Sequence, residues 1–394
     1  MSDIETWCDE LLPEIYEEGM FDHEEIHDDV WEATTEAMDA LLDEIDDDEE
    51  EREKMADALT EASRDWFRAH HTLTLELISP LPQEDIAAIC NRPQTAQHSA
   101  DWYSQRRNRL TASEFSQILD GRRAALLRQK VAPVVEGAAT DRPFASPVGI
   151  SQADGDMNAT TWGHRFESVV RDMYEQELAG VGCVNDSLGR FTHPRIPWIS
   201  ASPDGIVTKG PLAGRLLEIK APKSRQPGEF VPAEYYVQMQ IQMEVCDIDV
   251  VDFVEAQFAQ RPVAALTEAD KKAIAAARWK GRIEVRGTLE QPETWSYRYT
   301  KAVEDLEDAK YPDEDKDADK PLLEDTVWWL TGWYPRTVLR NKQWWQSVGW
   351  PNAELFWAEA LSLREVQPLE TKSTSKNTGK EEVIEHIGGW LGSE

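Results

Sequence analysis

Two carboxylates and a lysine lie close together in the segment WISASPDGIVTKGPLAGRLLEIKAP. Asp204 occupies a Pro-Asp-Gly turn, and Glu218 and Lys220 follow in LLEIKAP. Residues two apart on a strand point to the same face, so Glu218 and Lys220 can reach one pocket. A hairpin between the two segments would bring Asp204 beside Glu218. Paired carboxylates are hard oxygen ligands suited to Mg²⁺ or Mn²⁺, and a nearby lysine can orient water or offset charge on a phosphoryl group.

Three further segments carry residues that could complete such a site. Glu167 lies in WGHRFESVVRDMYEQ, whose apolar residues recur with helical spacing, and its carboxylate can point at the end of a sheet. Three arginines, including Arg106, precede a helix-start signal in DWYSQRRNRLTASEF, an arrangement that can bind phosphate. Tyr235 and Gln238 lie on one face of a predicted helix in EYYVQMQIQMEV. Taken singly, each has an ordinary explanation as an exposed or core-packing residue.

The elements that would position these residues predict an α/β fold. A mixed sheet would carry Asp204, Glu218 and Lys220, and helices flanking it would carry Glu167 and Gln238. The charge is unevenly distributed along the chain. Residues 1–92 hold 30 acidic and 5 basic side chains, whereas the remaining residues hold 45 acidic and 36 basic ones. The sequence therefore predicts an acidic helical N-terminal region at 1–92, a main domain at 93–365 and a flexible tail at 366–394.

Composition excludes several classes of protein. A formal net charge of −34 over 394 residues argues against a generally basic nucleic-acid coat and against adhesion to anionic membranes. No apolar run reaches the roughly 18 residues of a membrane-spanning helix, and the acidic start MSDIETWCDE is unlike a signal peptide. The four cysteines form no CxxC pair, which indicates free thiols rather than a zinc or iron–sulfur site. We therefore expect an intracellular protein that does not bind membranes.

In this order the segments resemble one known family. W-x3-R-x4-TAS, WG-x3-E, SPDG, ExK and Y-x2-Q are similar to the motifs of the lambda-exonuclease, or YqaJ-type viral recombinase, branch of the PD-(D/E)xK nucleases. The segments QTAQHSADWYSQRRNRLTASEF and TVLRNKQWWQSVGWPNAELFWAEAL resemble the longer members found in large DNA viruses. The resemblance covers about residues 93–365 and implies a restriction-endonuclease-like core, a mixed sheet flanked by helices, with the acidic region as an extension.

The resemblance also implies a role for each site residue. Metal ligands would be the side chains of Glu167, Asp204 and Glu218 and the carbonyl of Ile219, with Mg²⁺ as the ion and Mn²⁺ as a substitute. Lys220 would position and activate the attacking water. The remaining roles are support of the water or the lysine by Gln238 and Tyr235, and binding of a 5′ phosphate by Arg106 and Ser113. The spacing Q-x-Q-x-Q at 238–242 leaves the register of the glutamine open.

The implied function is a Mg²⁺-dependent DNA exonuclease that acts 5′→3′ on one strand of linear duplex DNA. Its product would be a 3′ single-stranded overhang for viral or phage recombination. The implied partners are duplex DNA ends, a single-strand annealing protein and further copies of the chain in a ring-shaped trimer. The site of action would be the cytoplasm, nucleus or nucleoid of a virus-infected cell. The alternatives are an endonuclease or RecB-like repair nuclease of the same superfamily, and a non-enzymatic acidic protein that mimics DNA.

Overall fold

The computed structural model describes most of the chain between residues 28 and 366. The described residues are 4, 7, 8, 11, 12, 21–22, 25–26, 28–43, 49–97, 99–132, 157, 159–227, 231–288, 295–312 and 319–366. The predicted C-terminal tail at 366–394 lies outside them, apart from Val366, which ends the last helix.

The described chain forms thirteen strands and eleven α-helices. The strands are β1 (Phe21–Asp22), β2 (Glu25–Ile26), β3 (Gln94–Thr95), β4 (Leu110–Thr111), β5 (Val184–Asn185), β6 (Arg190–Thr192), β7 (Ile199–Ala201), β8 (Gly205–Val207), β9 (Leu216–Lys220), β10 (Val250–Pro262), β11 (Lys280–Arg286), β12 (Ser296–Tyr299) and β13 (Leu322–Leu339). The α-helices are α1 (Asp28–Asp43), α2 (Glu49–Leu77), α3 (Gln83–Cys90), α4 (Ala100–Ser104), α5 (Ala112–Leu119), α6 (Arg123–Val131), α7 (Ala159–Tyr174), α8 (Ala233–Cys246), α9 (Glu268–Ala276), α10 (Lys342–Trp344) and α11 (Trp350–Val366).

Two sheets organise these elements. The large sheet has the strand order β12-β11-β13-β10-β9-β8-β5, with β1 joined to β13 and β2 joined to β1. The small sheet has the order β3-β6-β7-β4. In the large sheet β9 and β10 are parallel, whereas β8 and β9 are antiparallel. The mixed sheets with flanking helices confirm the predicted α/β fold class.

The position of β9 follows from its connections. Parallel strands cannot be joined by a tight turn, and the crossover from β9 to β10 is made by α8. Because side chains alternate along β9, Leu217 and Ile219 join the apolar core that also contains Phe166 of α7. Leu216 joins the other core, together with Val237 of α8. Glu218 and Lys220 therefore lie on the face of β9 opposite to Leu217 and Ile219.

The acidic N-terminal region contacts the main sheet. Asp22 of β1 pairs with Val338 of β13. Leu81 packs on Gly214, where a Cβ atom would lie 2.5 Å from the Leu81 Cγ atom and where φ is +95°. Ile86 of α3 is buried in the core, and Arg92 donates hydrogen bonds to the carbonyls of Thr192, Val245 and Cys246. Contacts with the main domain therefore begin well before residue 93, because α3 supplies apolar side chains that the core buries.

The C-terminal turn of α8 is held by a buried ionic cluster. The Arg340 Nη2 atom donates to the Glu244 Oε2 atom at 2.5 Å, and His193 Nε2 lies 3.4 Å from Glu244 Oε1. Burial raises the pKa of Glu244, but hydrogen bonds from His193 and Arg340 and the Arg340 charge outweigh it and lower the pKa to about 2. The ionised carboxylate therefore stabilises the C-terminal turn of α8.

Replacing Glu244 with glutamine should lower thermal stability at pH 7. The carboxylate has a lower pKa when folded than its ordinary 4.5, so its stabilising effect is complete above about pH 5 and disappears as the pH falls toward 2. Melting curves of wild type and Glu244→Gln should therefore converge on acidification. Glu234→Gln, a change of the same type at an exposed position of α8, is the control. A constant difference from pH 7 to pH 3 would contradict this role for the carboxylate.

Candidate active site

The predicted hairpin brings Asp204 beside Glu218. Gly205 pairs with Leu217 and Ile206 with Leu216, and the Asp204 backbone amide donates to the Leu217 carbonyl at 3.0 Å. The Ile219 amide donates to the Asp204 Oδ2 atom at 2.8 Å, which fixes that carboxylate against β9. The glycine of the SPDG motif allows strand β5 to approach, because a Cβ atom on Gly205 would lie 2.7 Å from the Val184 Cγ1 atom.

Glu218 is held by three side-chain donors. It is 1% exposed, and Lys220 Nζ and Gln238 Nε2 both donate to its Oε1 atom, the latter at 2.7 Å. Gln242 Nε2 donates to its Oε2 atom at 2.6 Å. Such hydrogen bonds replace those that the buried carboxylate oxygens would make with water. The amide of Gln238 thus contacts Glu218, whereas the resemblance implies contact with the water or the lysine.

Lys220 remains a cation in this environment. Burial lowers its pKa, but the charges of Glu218 and Asp204 and the hydrogen bond to Glu218 outweigh burial and raise it above the ordinary lysine value. The ammonium also lies over the ring of Tyr235, 5.0 Å from the ring centroid. Lys220 can therefore supply positive charge and hydrogen bonds, but it cannot accept a proton at neutral pH.

Glu167 lies on α7, which packs on the face of the sheet opposite to α8. Burial raises its pKa, but the His164 hydrogen bond and the Arg171 charge outweigh it, so the net pKa is lowered. Arg171 Nη2 lies 3.3 Å from Glu167 Oε1. The pKa of Asp204 is raised well above its ordinary value, first by burial and then by the charges of Glu218 and Glu167. Three carboxylates thus repel one another across one small volume.

An open cavity of about 380 Å³ joins these groups. Its acidic lining comes from Glu167 and Asp204. Its other lining residues include Lys220, Lys223, Ser224, Arg225, His164 and Tyr235. A lining that holds both acidic and cationic groups suits a metal cation together with an anionic substrate.

The donor chemistry fits Mg²⁺ or Mn²⁺. Within the part of the chain that the structure describes, no group of three or more His, Cys, Asp and Glu side chains forms a ready metal cluster. The predicted set of Glu167, Asp204, Glu218 and the Ile219 carbonyl is therefore not a closed protein cage. Mg²⁺ commonly uses one or two carboxylates and completes its shell with water and substrate phosphate. The unrelieved repulsion on Asp204 is what a divalent cation would neutralise.

A second cluster surrounds Arg106, just before α5. The Arg106 Nη2 atom lies 3.3 Å from Glu114 Oε1, and its guanidinium carbon lies 5.4 Å from the Trp102 ring centroid. Its Nε atom has no hydrogen-bond partner among the described residues. The pKa of buried Arg190 is lowered to about 10 by burial and by the charges of Arg109 and Arg106. Crowded arginines at a helix start form an anion-binding arrangement.

The predicted helix start at α5 is confirmed and explains how this cluster is held. Thr111 and Glu114 form a capping box, with Glu114 Oε2 accepting from the Thr111 amide at 3.1 Å and its hydroxyl at 2.7 Å. Ser113 is exposed, and its hydroxyl lies 3.3 Å from that of Thr111. Strand β4 pairs with β7, Thr111 opposite Ser200. Since Ser200 precedes Asp204 by four residues, the strands bring the arginine cluster toward the carboxylates.

Sequence reasoning missed the buried lysine of this cluster. Lys130 of α6 is 1% exposed, and its Nζ atom donates to Glu114 Oε2 and to the Arg106 carbonyl, both at 2.8 Å. Arg364 of α11 donates to the carbonyls of Lys130 and Arg107, both at 2.7 Å. The segment GRRAALLRQK at 121–130 is basic, but the spacing of its residues does not indicate which one is buried.

Comparisons with known proteins agree with this arrangement. Residues 101–249 match the model of the YqaJ-like viral recombinase domain. Over those residues the chain is similar to that domain. The match begins just before the arginine cluster and ends after α8, so the resemblance seen in the sequence is confirmed over the segments that carry all the site residues.

Individual relatives of the YqaJ-like domain are distant. "Uncharacterized protein R354" of Acanthamoeba polyphaga mimivirus is 28% identical over 180 residues, which are 42% of this chain and 30% of that protein. An alkaline exonuclease, LHK-Exo, from Laribacter hongkongensis is 17% identical with a TM-score of 0.38, over 68% of this chain and 95% of that one. LHK-Exo in complex with dAMP is 27% identical with a TM-score of 0.28, over 40% and 73%. The residue roles below rest on this chain's own contacts.

The structure thus places the predicted site residues in two groups. The first contains Glu167, Asp204, Glu218, Ile219, Lys220, Tyr235 and Gln238, and the second contains Arg106 and Ser113. Gln242 and Lys130 join them as residues that the sequence did not single out. Among the described residues no helix is long and apolar enough to cross a membrane.

Replacing Asp204 with asparagine should stabilise the metal-free protein at pH 8 and weaken its stabilisation by Mn²⁺. The folded-state pKa of Asp204 is raised, so ionising it costs stability as the pH rises above its ordinary value of 3.8. Asparagine removes that charge and can still accept from the Ile219 amide. Melting temperatures in EDTA and in a Mn²⁺ series measure both effects. A lower melting temperature in EDTA with an unchanged response to Mn²⁺ would contradict the carboxylate crowding.

Proposed function

We propose that this protein is a divalent-metal-dependent DNA nuclease that degrades linear duplex DNA from its ends. The observation that carries the proposal is the cluster of Asp204, Glu218 and Lys220 at the end of β9, with Glu167 lining the same open cavity. Hard oxygen ligands beside a fixed ammonium suit hydrolysis of a phosphodiester. The YqaJ-like domain match and the name of the alkaline exonuclease among its structural relatives support a DNA nuclease.

Each side chain has a defined task in this reaction. A bound Mg²⁺ or Mn²⁺ would polarise the phosphate and lower the pKa of water. Asp204, Glu218 and the Ile219 carbonyl would hold that ion, and Glu167 would face it from α7. Lys220, as a cation, would orient the attacking water and offset charge on the phosphoryl oxygens. Tyr235 keeps the ammonium in place through its ring face.

Exonuclease action, 5′→3′ in direction, is the finer part of the proposal. The cluster of Arg106, Arg109 and Arg190 carries more positive charge than Glu114 neutralises, so it favours a strongly anionic group. A terminal 5′ phosphate carries more charge than an internal diester, and a guanidinium can bind it through two hydrogen bonds. A strand whose 5′ end binds there would present a nearby diester to the carboxylates. The 3′ overhang left behind would serve recombination.

The wider setting is proposed on the family resemblance. It comprises duplex DNA ends as substrate, a single-strand annealing protein, a ring-shaped trimer and action inside a virus-infected cell, in its cytoplasm, nucleus or nucleoid. An endonuclease with the same carboxylates and lysine is the alternative enzyme. The acidic protein that mimics DNA is the non-enzymatic alternative, and the three side-chain donors to Glu218 disfavour it, since a decayed site need not retain them.

The test is digestion of three duplexes in Mg²⁺: linear with a 5′ phosphate, linear with a 5′ hydroxyl, and closed circular. An exonuclease should release mononucleotides from the linear duplexes, fastest from the phosphorylated one, and leave the circle intact. Cutting of the circle would favour the endonuclease, and no cleavage in Mg²⁺ or Mn²⁺ would reject the nuclease.

Replacing Lys220 with methionine should reduce turnover by about 10²–10³ while the protein stays folded, because the change removes charge that stabilises the transition state. Methionine retains most of the aliphatic length that packs beside Tyr235. Lys209→Met, a change at an exposed lysine, should have no effect. Single-turnover rates at saturating DNA measure the effect. A Lys220→Met protein with wild-type turnover would remove Lys220 from the reaction.

Replacing Arg106 with alanine should selectively reduce the preference for 5′-phosphorylated ends, since its side chain is 38% exposed and its guanidinium can bind an anion. Rates on the 5′-hydroxyl duplex should change little. Arg128→Ala, at an exposed arginine of α6, removes the same charge and is the matched control. Equal losses on both duplexes would mean that Arg106 contacts the DNA backbone generally or supports the fold.

A further inference from the structure

The three glutamines of α8, at 238, 240 and 242, have different environments although all three are polar residues on one helix. Gln238 Nε2 and Gln242 Nε2 each donate to a different oxygen of Glu218. Gln240 makes no such contact: its Nε2 donates to the Leu339 carbonyl at 2.8 Å and its Oε1 accepts from the Asn341 amide at 2.7 Å. Residues four apart share a helix face, and residues two apart do not.

Gln242 is completely buried, and one end of its amide is unsatisfied. Its exposure is 0%, and its Oε1 atom has no hydrogen-bond partner among the described residues. The hydrogen bond fixes the orientation of the amide, because its NH₂ group donates to Glu218 and its carbonyl oxygen therefore points away from that carboxylate. A buried acceptor without a partner is unfavourable for folding, and Gln240 shows that an amide on this helix can have both ends satisfied. The position of Gln242 is thus explained by Glu218 rather than by the packing of α8.

We propose that Gln242 is a positioning residue that fixes the Glu218 carboxylate for metal binding. The inference rests on the proposed function and adds a residue to it. Gln238 and Lys220 occupy only the Oε1 side of Glu218, so without Gln242 the carboxylate could rotate about its terminal bond. With Gln242 present, each oxygen has a fixed direction. Partners of this kind orient a ligand that touches the metal, and their loss typically weakens metal affinity by about 10–100-fold.

The same helix supplies the matched control. Gln242→Met and Gln240→Met remove the same amide at equally buried positions. Gln240→Met loses two hydrogen bonds to the chain around α10, whereas Gln242→Met loses one to Glu218. Gln242→Asn retains an amide but is shorter by one methylene, so it should not reach Glu218. It provides a polar replacement at the same site if the methionine variant does not fold.

The experiment titrates full-length wild type and the three variants with Mn²⁺ by calorimetry and by melting temperature, without DNA. Gln242→Met and Gln242→Asn should bind Mn²⁺ at least tenfold more weakly, and the rise in melting temperature with Mn²⁺ should shrink accordingly. Gln240→Met should melt lower without metal and bind Mn²⁺ as the wild type does. In DNA digestion, the Gln242 variants should lose kcat at limiting Mn²⁺ and recover it at high Mn²⁺, with KM for DNA unchanged.

Two results would overturn the inference. Unchanged Mn²⁺ affinity in a folded Gln242 variant would show that Glu218 needs no such support. Equal weakening in Gln240→Met would show that any disturbance of α8 has this effect. Absence of Mn²⁺ binding by the wild-type protein is a separate result, which would count against the proposed function itself.

Discussion

Electrostatic repulsion among Asp204, Glu218 and Glu167 is the constraint on which the rest of this structure depends. Like charges held close together in a partly buried volume oppose folding, and burial together with the charges of Glu218 and Glu167 raises the pKa of Asp204 despite the opposing charge of Lys220. The fold keeps the carboxylates together by short-range connections. The β8–β9 hairpin fixes Asp204 through two backbone contacts, and the β9–α8–β10 crossover brings the helix whose side chains hold Glu218.

The arginine cluster is the electrostatic counterpart of this site. Its excess positive charge lies at the start of α5. Strand β4, which leads into α5, pairs with β7, and β7 is the strand that precedes Asp204. Buried Lys130 and Glu114 form an ion pair that fixes the backbone at Arg106. The carboxylates around Asp204, which attract a cation, and the arginine cluster, which attracts an anion, are therefore positioned by adjacent parts of the chain. A DNA strand with a terminal phosphate and a divalent counterion would require both.

Much of this arrangement follows from the sequence because it depends on local periodicity. The period of two places Glu218 and Lys220 together, the Pro-Asp-Gly turn implies the hairpin, and the capping box marks the start of α5. The family resemblance added residue roles that spacing alone did not supply.

Other features depend on tertiary contacts and could not be predicted. The pattern Q-x-Q-x-Q does not show which amides meet Glu218, since α8 is buried on nearly all sides and has no polar face to orient it. Lys130 is one of several basic residues in its segment, and only its burial in the structure distinguishes it from the others. The fit of Leu81 against Gly214 is a contact between residues far apart in sequence, which no local pattern marks.

The most direct test of the central claim is to locate the metal in crystals soaked in Mn²⁺, by anomalous scattering. The account predicts a peak between the carboxylates of Asp204 and Glu218 and the Ile219 carbonyl, with Gln238 and Gln242 still bonded to Glu218. A well-occupied peak elsewhere, or an undisturbed Lys220–Glu218 pair with no ion beside it at saturating Mn²⁺, would contradict the account.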